Sequence, residues 1–246
     1  MTTSQTQPRI VSSREEMFKE RLALLEREKQ LTKLQEEIAA QRRELPWVKI
    51  EKDFVFQGAN GPVRLSQLFR NEETNNLIVQ HVMFGGQAEK VCSWCSCWID
   101  GVNGLLPHLE TKAHYVIVCK APYEKVAKAV AAKGWDCEAL SSAGQSFNHD
   151  LGVEFTPEEI ANKSGVYNFN RTNQAGFEQY SGVSVFRKHT DGNIYLTYST
   201  YGRGLETLNS LWAMFDMLPD GRRNSDGSGN ANGHGLSWWP KHPEDF

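Results

Sequence analysis

Val91-Cys92-Ser93-Trp94-Cys95-Ser96-Cys97-Trp98 sets three of the chain's five cysteines within six residues. The run ahead of it, Leu77-Ile78-Val79-Gln80-His81-Val82-Met83, reads as a buried strand. Phe84-Gly85-Gly86 reads as a turn, and helical patterning follows from about Ser93 to Leu109. A Cys-x-x-Cys at a strand-to-helix junction makes thiols reactive. Unpaired N–H groups and the dipole of the first helical turn favour the thiolate, which is both the nucleophile and the metal ligand. Chemistry is therefore expected at this stretch.

The whole chain sets the context. Its 246 residues are 39% hydrophobic and 23% charged, enough apolar material for a real core. The formal net charge of −3 and the lack of a long basic run exclude nucleic acid as an implied partner. No stretch approaches the roughly 18 consecutive apolar residues of a spanning helix, so no membrane is implied. Met1 to Val11 is polar and lacks the apolar centre of a secretory signal, so a cytoplasmic address is expected. In a reducing compartment five cysteines are free, catalytic or metal-binding. Cys119, at the end of the apolar run Tyr115-Val116-Ile117-Val118, reads as a small buried residue, and Cys137 reads the same way.

Residues 1–12 are expected to be disordered. Ser13-Arg14-Glu15-Glu16 fits a capping box, opening an amphipathic helix over 13–45 that Leu45-Pro46 ends. Met17, Leu24, Leu31 and Ile38 recur every seven residues, marking either a strut packed on its own domain or an arm for a homodimer. Residues 46–218 form the expected main domain. Residues 54–65 read as a hairpin about Gly58-Ala59-Asn60-Gly61-Pro62, and Ser66 to Phe69 as a helical turn. A helix over 122–133 stops at Gly134, and Ala139 to Ser142 is a weak strand. Patterning is lost over Phe147 to Ser181, with an insertion near 150–181 expected to cap the site. Val183 to Phe186 and Ile194 to Tyr198 flank Asp191-Gly192-Asn193 as a hairpin, and a helix is expected from Leu205 to Met217. A flexible tail over 219–246 carries Trp238-Trp239. The order β-α-β-α-β, then a hairpin and a helix, predicts an α/β thioredoxin-like fold, a mixed central sheet with helices on both faces.

Several segments together resemble a known family: Leu45-Pro46-Trp47-Val48, His81-Val82-Met83-Phe84-Gly85, Cys92-x-x-Cys95 with Trp98 and Asp100, Pro107-His108-Leu109, Ser146 to Val153, and Tyr198-Ser199-Thr200-Tyr201-Gly202-Arg203-Gly204. The resemblance, over roughly residues 13–218, is to a mostly bacterial thioredoxin-like group of unknown function. Its members are often labelled predicted dithiol–disulfide oxidoreductases and are distantly peroxiredoxin-like. It implies the fold directly and the activity by analogy. Three positions depart from pattern. Cys97 stands where the family usually carries a bulky residue. Ser181-Gly182 stand where thioredoxin-like folds commonly place a cis-proline, and Ser93-Trp94 lack the proline of thioredoxin's redox loop. These departures set the chain apart from ordinary docking of a protein disulfide.

Two chemistries suit the cysteines. In the first, Cys92 is the exposed nucleophile and Cys95 resolves, since i and i+3 share a helix face. The substrate is then a disulfide, a peroxide or another small molecule. Cys97 lies about 140° around the helix from Cys92 and should point away. In the second, Cys92, Cys95 and His81 ligate copper, with Cys97 joining if the helix starts later, and the protein is an oxidase or oxygenase of a small molecule. A third reading is a non-enzymatic redox sensor with interaction surfaces. Substrate binding is assigned to Arg203 as a carboxylate clamp, with Tyr201 and Trp94. Asp100 is a candidate proton relay, and His108, His149 and His242 are lesser candidates.

Overall fold

The computed structural model describes residues 10–70, 73–169 and 176–222. It divides into two compact units, Met1–Pro46 and Trp47–Phe246. The first unit is the helix α1 (Arg14–Arg43). Ser13 is extended, and its hydroxyl accepts the Glu16 N–H at 3.2 Å, satisfying one of the donors that a helix start leaves unpaired. Glu15 and Glu16 in the first turn and Arg42 and Arg43 in the last complement the helix dipole.

The second unit is built on one eight-stranded sheet. Its strands are β1 (Val48–Lys49), β2 (Val55–Gly58), β3 (Gly61–Arg64), β4 (Asn76–His81), β5 (His114–Cys119), β6 (Glu138–Ser141), β7 (Gly182–Lys188) and β8 (Ile194–Tyr201), in the order β1-β8-β7-β4-β5-β6-β2-β3. β4, β5 and β6 are parallel, β7 runs antiparallel to β4, and β8 runs antiparallel to β7. α2 (Ser93–Asn103) and the short α3 (Leu106–Leu109) connect β4 to β5, and α4 (Tyr123–Lys133) connects β5 to β6. A β8-β7-β4-β5 core with a crossover helix after its first strand and a closing hairpin is the thioredoxin-type plan that the sequence predicts. Gly134 ends α4 in the left-handed region at φ 65°, where a side chain would be strained.

Strand periodicity sorts the core into two layers. Ile78, Val82, Tyr115, Ile117 and Cys119 face α2 and α4, in a layer with Cys95, Ile99 and Val126. Leu77, Val79, Val116 and Val118 face the other way, against Phe56, Leu65 and Phe147. Phe186, two positions from Ser184 and paired with Leu77, falls in this second layer, and the β7–β8 pairing skips Thr197 at that point.

Four elements differ from expectation. The cysteine helix stops at Asn103, with Gly104 as its cap, before α3 begins. The helix expected over Leu205 to Met217 is a 3-10 turn over Gly202–Leu208 followed by α7 (Ser210–Phe215). It divides there because Asn209 is extended and its side chain accepts the Leu211 N–H at 2.9 Å, starting a new helix. The segment without pattern holds α5 (Phe147–Asp150) and α6 (Pro157–Ala161). α6 opens on a reciprocal box: Glu159 N–H donates to the Thr156 hydroxyl at 3.1 Å, and Thr156 N–H to the Glu159 carboxylate at 2.7 Å. β1, which no alternation announced, pairs Val48 with Leu196 and Lys49 with Tyr195. Among the described residues no helix is long and apolar enough to cross a membrane. The start of the expected disordered N-terminus, the glycine-rich tail segment, Trp238, Trp239 and His242 lie outside the described residues.

Candidate active site at the Cys92–Cys95 pair

The loop after β4 is stitched to the carboxyl ends of the parallel strands, where open α/β sheets place their sites. Val82 N–H donates to Val118 O at 2.9 Å, Ala121 N–H to Phe84 O at 2.8 Å and Cys92 N–H to Met83 O at 3.1 Å. These bonds hold Cys92 as the N-cap of α2 (φ −52°, ψ 129°). One turn on, the two thiols meet. Cys92 is lowered from the ordinary 9.0 to about 6, first by the hydrogen bond from the Cys95 thiol and then by the N–H groups of Cys95 and Trp94, while burial opposes them. Cys95 is 2% exposed and is raised well above 9.0 by that same bond to Cys92 and by burial. Met83 N–H also donates to the Cys95 sulfur at 3.4 Å. All five cysteines are free thiols. The pair is therefore asymmetric at neutral pH, with a part-exposed thiolate beside a buried proton-bearing thiol.

Cys97 points away from the pair, as the helical rotation requires. It packs with Trp98, Val183, Leu205 and Trp212, and Asn209 Nδ2 donates to its carbonyl at 3.2 Å and to its sulfur at 3.5 Å. Burial pushes it up to about 11. Cys119 and Cys137 sit in the α2-facing layer, where burial pushes both to about 12.

A cavity of about 590 Å³ adjoins the pair on the Cys95 side, and Cys92 does not line it. One wall is Trp94 and Trp98, their rings 5.6 Å apart and both packed on Trp212. Tyr167 and Tyr180, stacked with ring centres 4.3 Å apart, also line it. Arg203 and Glu206 supply the charge: Arg203 Nε lies 3.0 Å from one Glu206 oxygen and Nη2 3.1 Å from the other. Arg222, which grips Asp216 through two nitrogens, also reaches Glu206 at 3.0 Å. Trp94 and Arg203, assigned to substrate binding from the sequence, both line this cavity.

Tyr201 is not. Its ring is buried against Val153, Phe155 and Tyr167, and its hydroxyl donates to Leu151 O at 3.0 Å, so it is a packing residue and not a substrate contact. His81 is also displaced from the thiols. It shares strand parity with Leu77 and Val79, on the face away from Cys95. Its two ring nitrogens meet Asn148 Oδ1 at 3.0 Å and Ser184 Oγ at 2.9 Å, and desolvation lowers it to about 4. The copper set of Cys92, Cys95 and His81 is therefore corrected: its histidine lies behind the sheet, its nitrogens already bonded, and Cys97 points elsewhere. Among the described residues no three or more His, Cys, Asp or Glu side chains cluster as a metal site.

Residues 5–245 match the model of a family described as bacterial proteins of unknown function, DUF899. The chain belongs to this family. No curated protein matches the DUF899 chain. Among solved structures it is similar to the peroxidoxin BcpB of Mycobacterium tuberculosis, with 16% identity, a TM-score of 0.44, and 66% of this chain and 92% of that one covered. The bacterioferritin comigratory protein of Xanthomonas campestris gives 11% identity and a TM-score of 0.44 over the same shares, 66% and 92%. A secreted Mycobacterium tuberculosis disulfide oxidoreductase homologous to Escherichia coli DsbE gives 10% identity and a TM-score of 0.38, covering 61% and 84%.

Sequence reasoning missed several residues of the DUF899 site. Gln80 Nε2 donates to Cys95 O at 3.4 Å while its Oε1 accepts the Tyr115 hydroxyl, which fixes the helix turn carrying Cys95 to the sheet. Its signal was available, a polar side chain in an apolar strand at the parity opposite to His81. Tyr167 and Gln179 had no such signal, because they sit in the segment without periodicity. The Tyr167 hydroxyl donates to Ser181 O at 2.7 Å and accepts Gly202 N–H at 2.8 Å, and Gln179 Oε1 accepts Phe84 N–H at 3.1 Å. Three lesser candidates have structural partners or lie elsewhere. Asp100 accepts Trp135 Nε1 at 2.6 Å, His149 pairs with Glu159 at 3.0 Å, and His108 lines a separate apolar hollow.

Proposed function

We propose that this DUF899 protein is a thiol-dependent oxidoreductase in which Cys92 attacks and Cys95 resolves. The asymmetry of the pair supports this reading most strongly: one thiol held as thiolate at a helix N-terminus, the other buried, protonated and hydrogen-bonded to it. Cys92 thiolate attacks one sulfur of a disulfide and expels the other as a thiolate. Cys95 then gives up its proton, attacks the Cys92 sulfur and releases the second half as a thiol. The substrate disulfide is reduced to two thiols and the protein dithiol is oxidised to one disulfide, which an external dithiol reduces again.

The test is Cys95→Ser. Without the resolving thiol, Cys92 should accumulate a mixed disulfide with a disulfide substrate, or a sulfenic acid with a peroxide, each visible by intact mass and peptide mapping. If Cys92 alkylates readily with iodoacetamide yet forms no adduct with any disulfide or peroxide, the reading is wrong.

A further inference from the structure

Resting on that thiol-exchange reading, we infer that the substrate is a low-molecular-weight disulfide, one half of which is a flat, carboxylate-bearing group seated in the cavity beside Cys95. Four observations carry this. The cavity volume, about 590 Å³, is that of a small-ligand site. Its lining includes indole and phenol rings, the Trp94–Trp98 pair and the Tyr167–Tyr180 stack, whose flat faces suit a planar body.

The third observation concerns the backbone. A polypeptide substrate docks by pairing its main chain with free N–H and C=O groups. Here the Ser181 carbonyl and the Gly202 N–H are both taken by the Tyr167 hydroxyl, and the Tyr180 N–H donates to Val153 O at 2.9 Å. These main-chain groups beside the cavity are therefore already engaged and not offered to an incoming strand.

The fourth is the charge. Arg203 is half exposed and bound to Glu206, but Glu206 has a second partner in the nearly buried Arg222. When Arg203 swings to a ligand carboxylate, Glu206 keeps its 3.0 Å contact with Arg222, which it shares with Asp216. Arg203 is thereby released to form a bidentate pair with the substrate. Atoms balance in the cavity as follows. Cys92 thiolate bonds to the substrate sulfur farther from the cavity, the S–S bond breaks, and the half inside leaves as thiolate. That thiolate takes the proton of Cys95, which lines the cavity; Cys95 thiolate then attacks the Cys92 sulfur, breaking its bond to the outer half, which leaves as thiolate as the Cys92–Cys95 disulfide closes.

Stopped-flow reaction of the full-length reduced protein with two aryl disulfides tests this: dithiobis-nitrobenzoate, which bears carboxylates, and dithiodipyridine, which has none. Insulin serves as the protein disulfide, and iodoacetamide reports the intrinsic reactivity of Cys92. The expected result is a rate that saturates with dithiobis-nitrobenzoate. Arg203→Met should weaken its half-saturation about tenfold, as loss of one charge-assisted pair does, and leave dithiodipyridine unchanged. Tyr180→Ala should weaken both aryl probes and leave alkylation by iodoacetamide unaltered. Three results would overturn the inference while leaving thiol exchange standing: rates linear in both aryl disulfides, an equal effect of Arg203→Met on both, or insulin reduction as fast as either. No reaction with any disulfide, beside normal alkylation, would instead remove the thiol-exchange reading itself.

Discussion

Removing the Cys95 thiol perturbs the site where its chemistry is set. Cys92 titrates at about 6 instead of 9.0, and the hydrogen bond from Cys95 is the first cause. At about 1.4 kcal/mol per pH unit, the thiolate is favoured by on the order of 4 kcal/mol. Cys95→Ala deletes the largest contribution and leaves the N–H groups of Trp94 and residue 95 in place, so the midpoint should rise from about 6 toward 9.0. Near pH 7 a thiol titrating at 6 is about nine-tenths ionised and one at 9 about one per cent, so each unit of rise slows alkylation by up to about tenfold. Iodoacetamide labelling of Cys92, followed from about pH 4 to 10 by peptide mapping, measures both midpoints. A wild-type midpoint near 9, or a midpoint that Cys95→Ala does not move, would refute the reasoning. Stability follows with a definite sign. The folded-state value lies below the unfolded one, so the contribution is fully present above pH 9 and lost as pH falls through about 6. Reduced wild-type protein should gain stability between those limits, and Cys95→Ala should show a shallower rise in urea midpoint.

Three further outcomes follow from the packing. Above pH 6.5 His81 is neutral in both the folded and unfolded chain, whereas between 6.5 and about 4 only the unfolded chain protonates. Stability should therefore fall by about 3 kcal/mol as pH drops through that window, read from urea midpoints, and a flat profile would exclude a buried neutral imidazole. A Cβ at Gly182 would stand 2.7 Å from the Tyr201 ring and 3.0 Å from Val153, so Gly182→Ala should cost about 1–3 kcal/mol in chemical denaturation; a neutral substitution would mean that β7 and β8 are less tightly packed than described. Tyr167→Phe keeps the stacked ring but orphans the Gly202 N–H and the Ser181 carbonyl, at a cost of about 1–3 kcal/mol. Amide exchange at Gly202 should accelerate with it, and unchanged exchange would show that the hydroxyl is not the partner.

The sequence made the local elements legible wherever chemistry is local. The Cys92 junction, the turns at Gly61 and Gly192 and the stop at Gly134 all follow from residues adjacent in the chain. Legibility failed where the deciding partner is remote. Tyr201 and Tyr167 are both tyrosines in aromatic company, and only the pairing of β8 with β7 sends the first toward Leu151 and leaves the second beside the cavity. The break at Asn209 starts from its local cap on the Leu211 N–H, and the same side chain is also bonded to Cys97, 112 residues earlier in the chain. His81 was decidable by counting: two and four positions back stand Val79 and Leu77, which fixes its face. The Thr156-Pro157-Glu158-Glu159 box was equally plain in the residues and was obscured by the polar, aromatic-dotted segment around it.

The differing environments of the five sulfurs have a consequence for survival under oxidants. Near pH 7 a thiol titrating at about 12 is ionised about once in a hundred thousand molecules, while Cys92 is ionised in about nine of ten. Oxidants select the thiolate, so oxidation is directed to a single atom of the chain. Cys97, Cys119 and Cys137 are spectators by electrostatics as well as by burial. On the proposed thiol-exchange function, the domain would cycle one disulfide repeatedly without scrambling into wrong bridges, a form of fidelity that a chain with five equivalent thiols would lack.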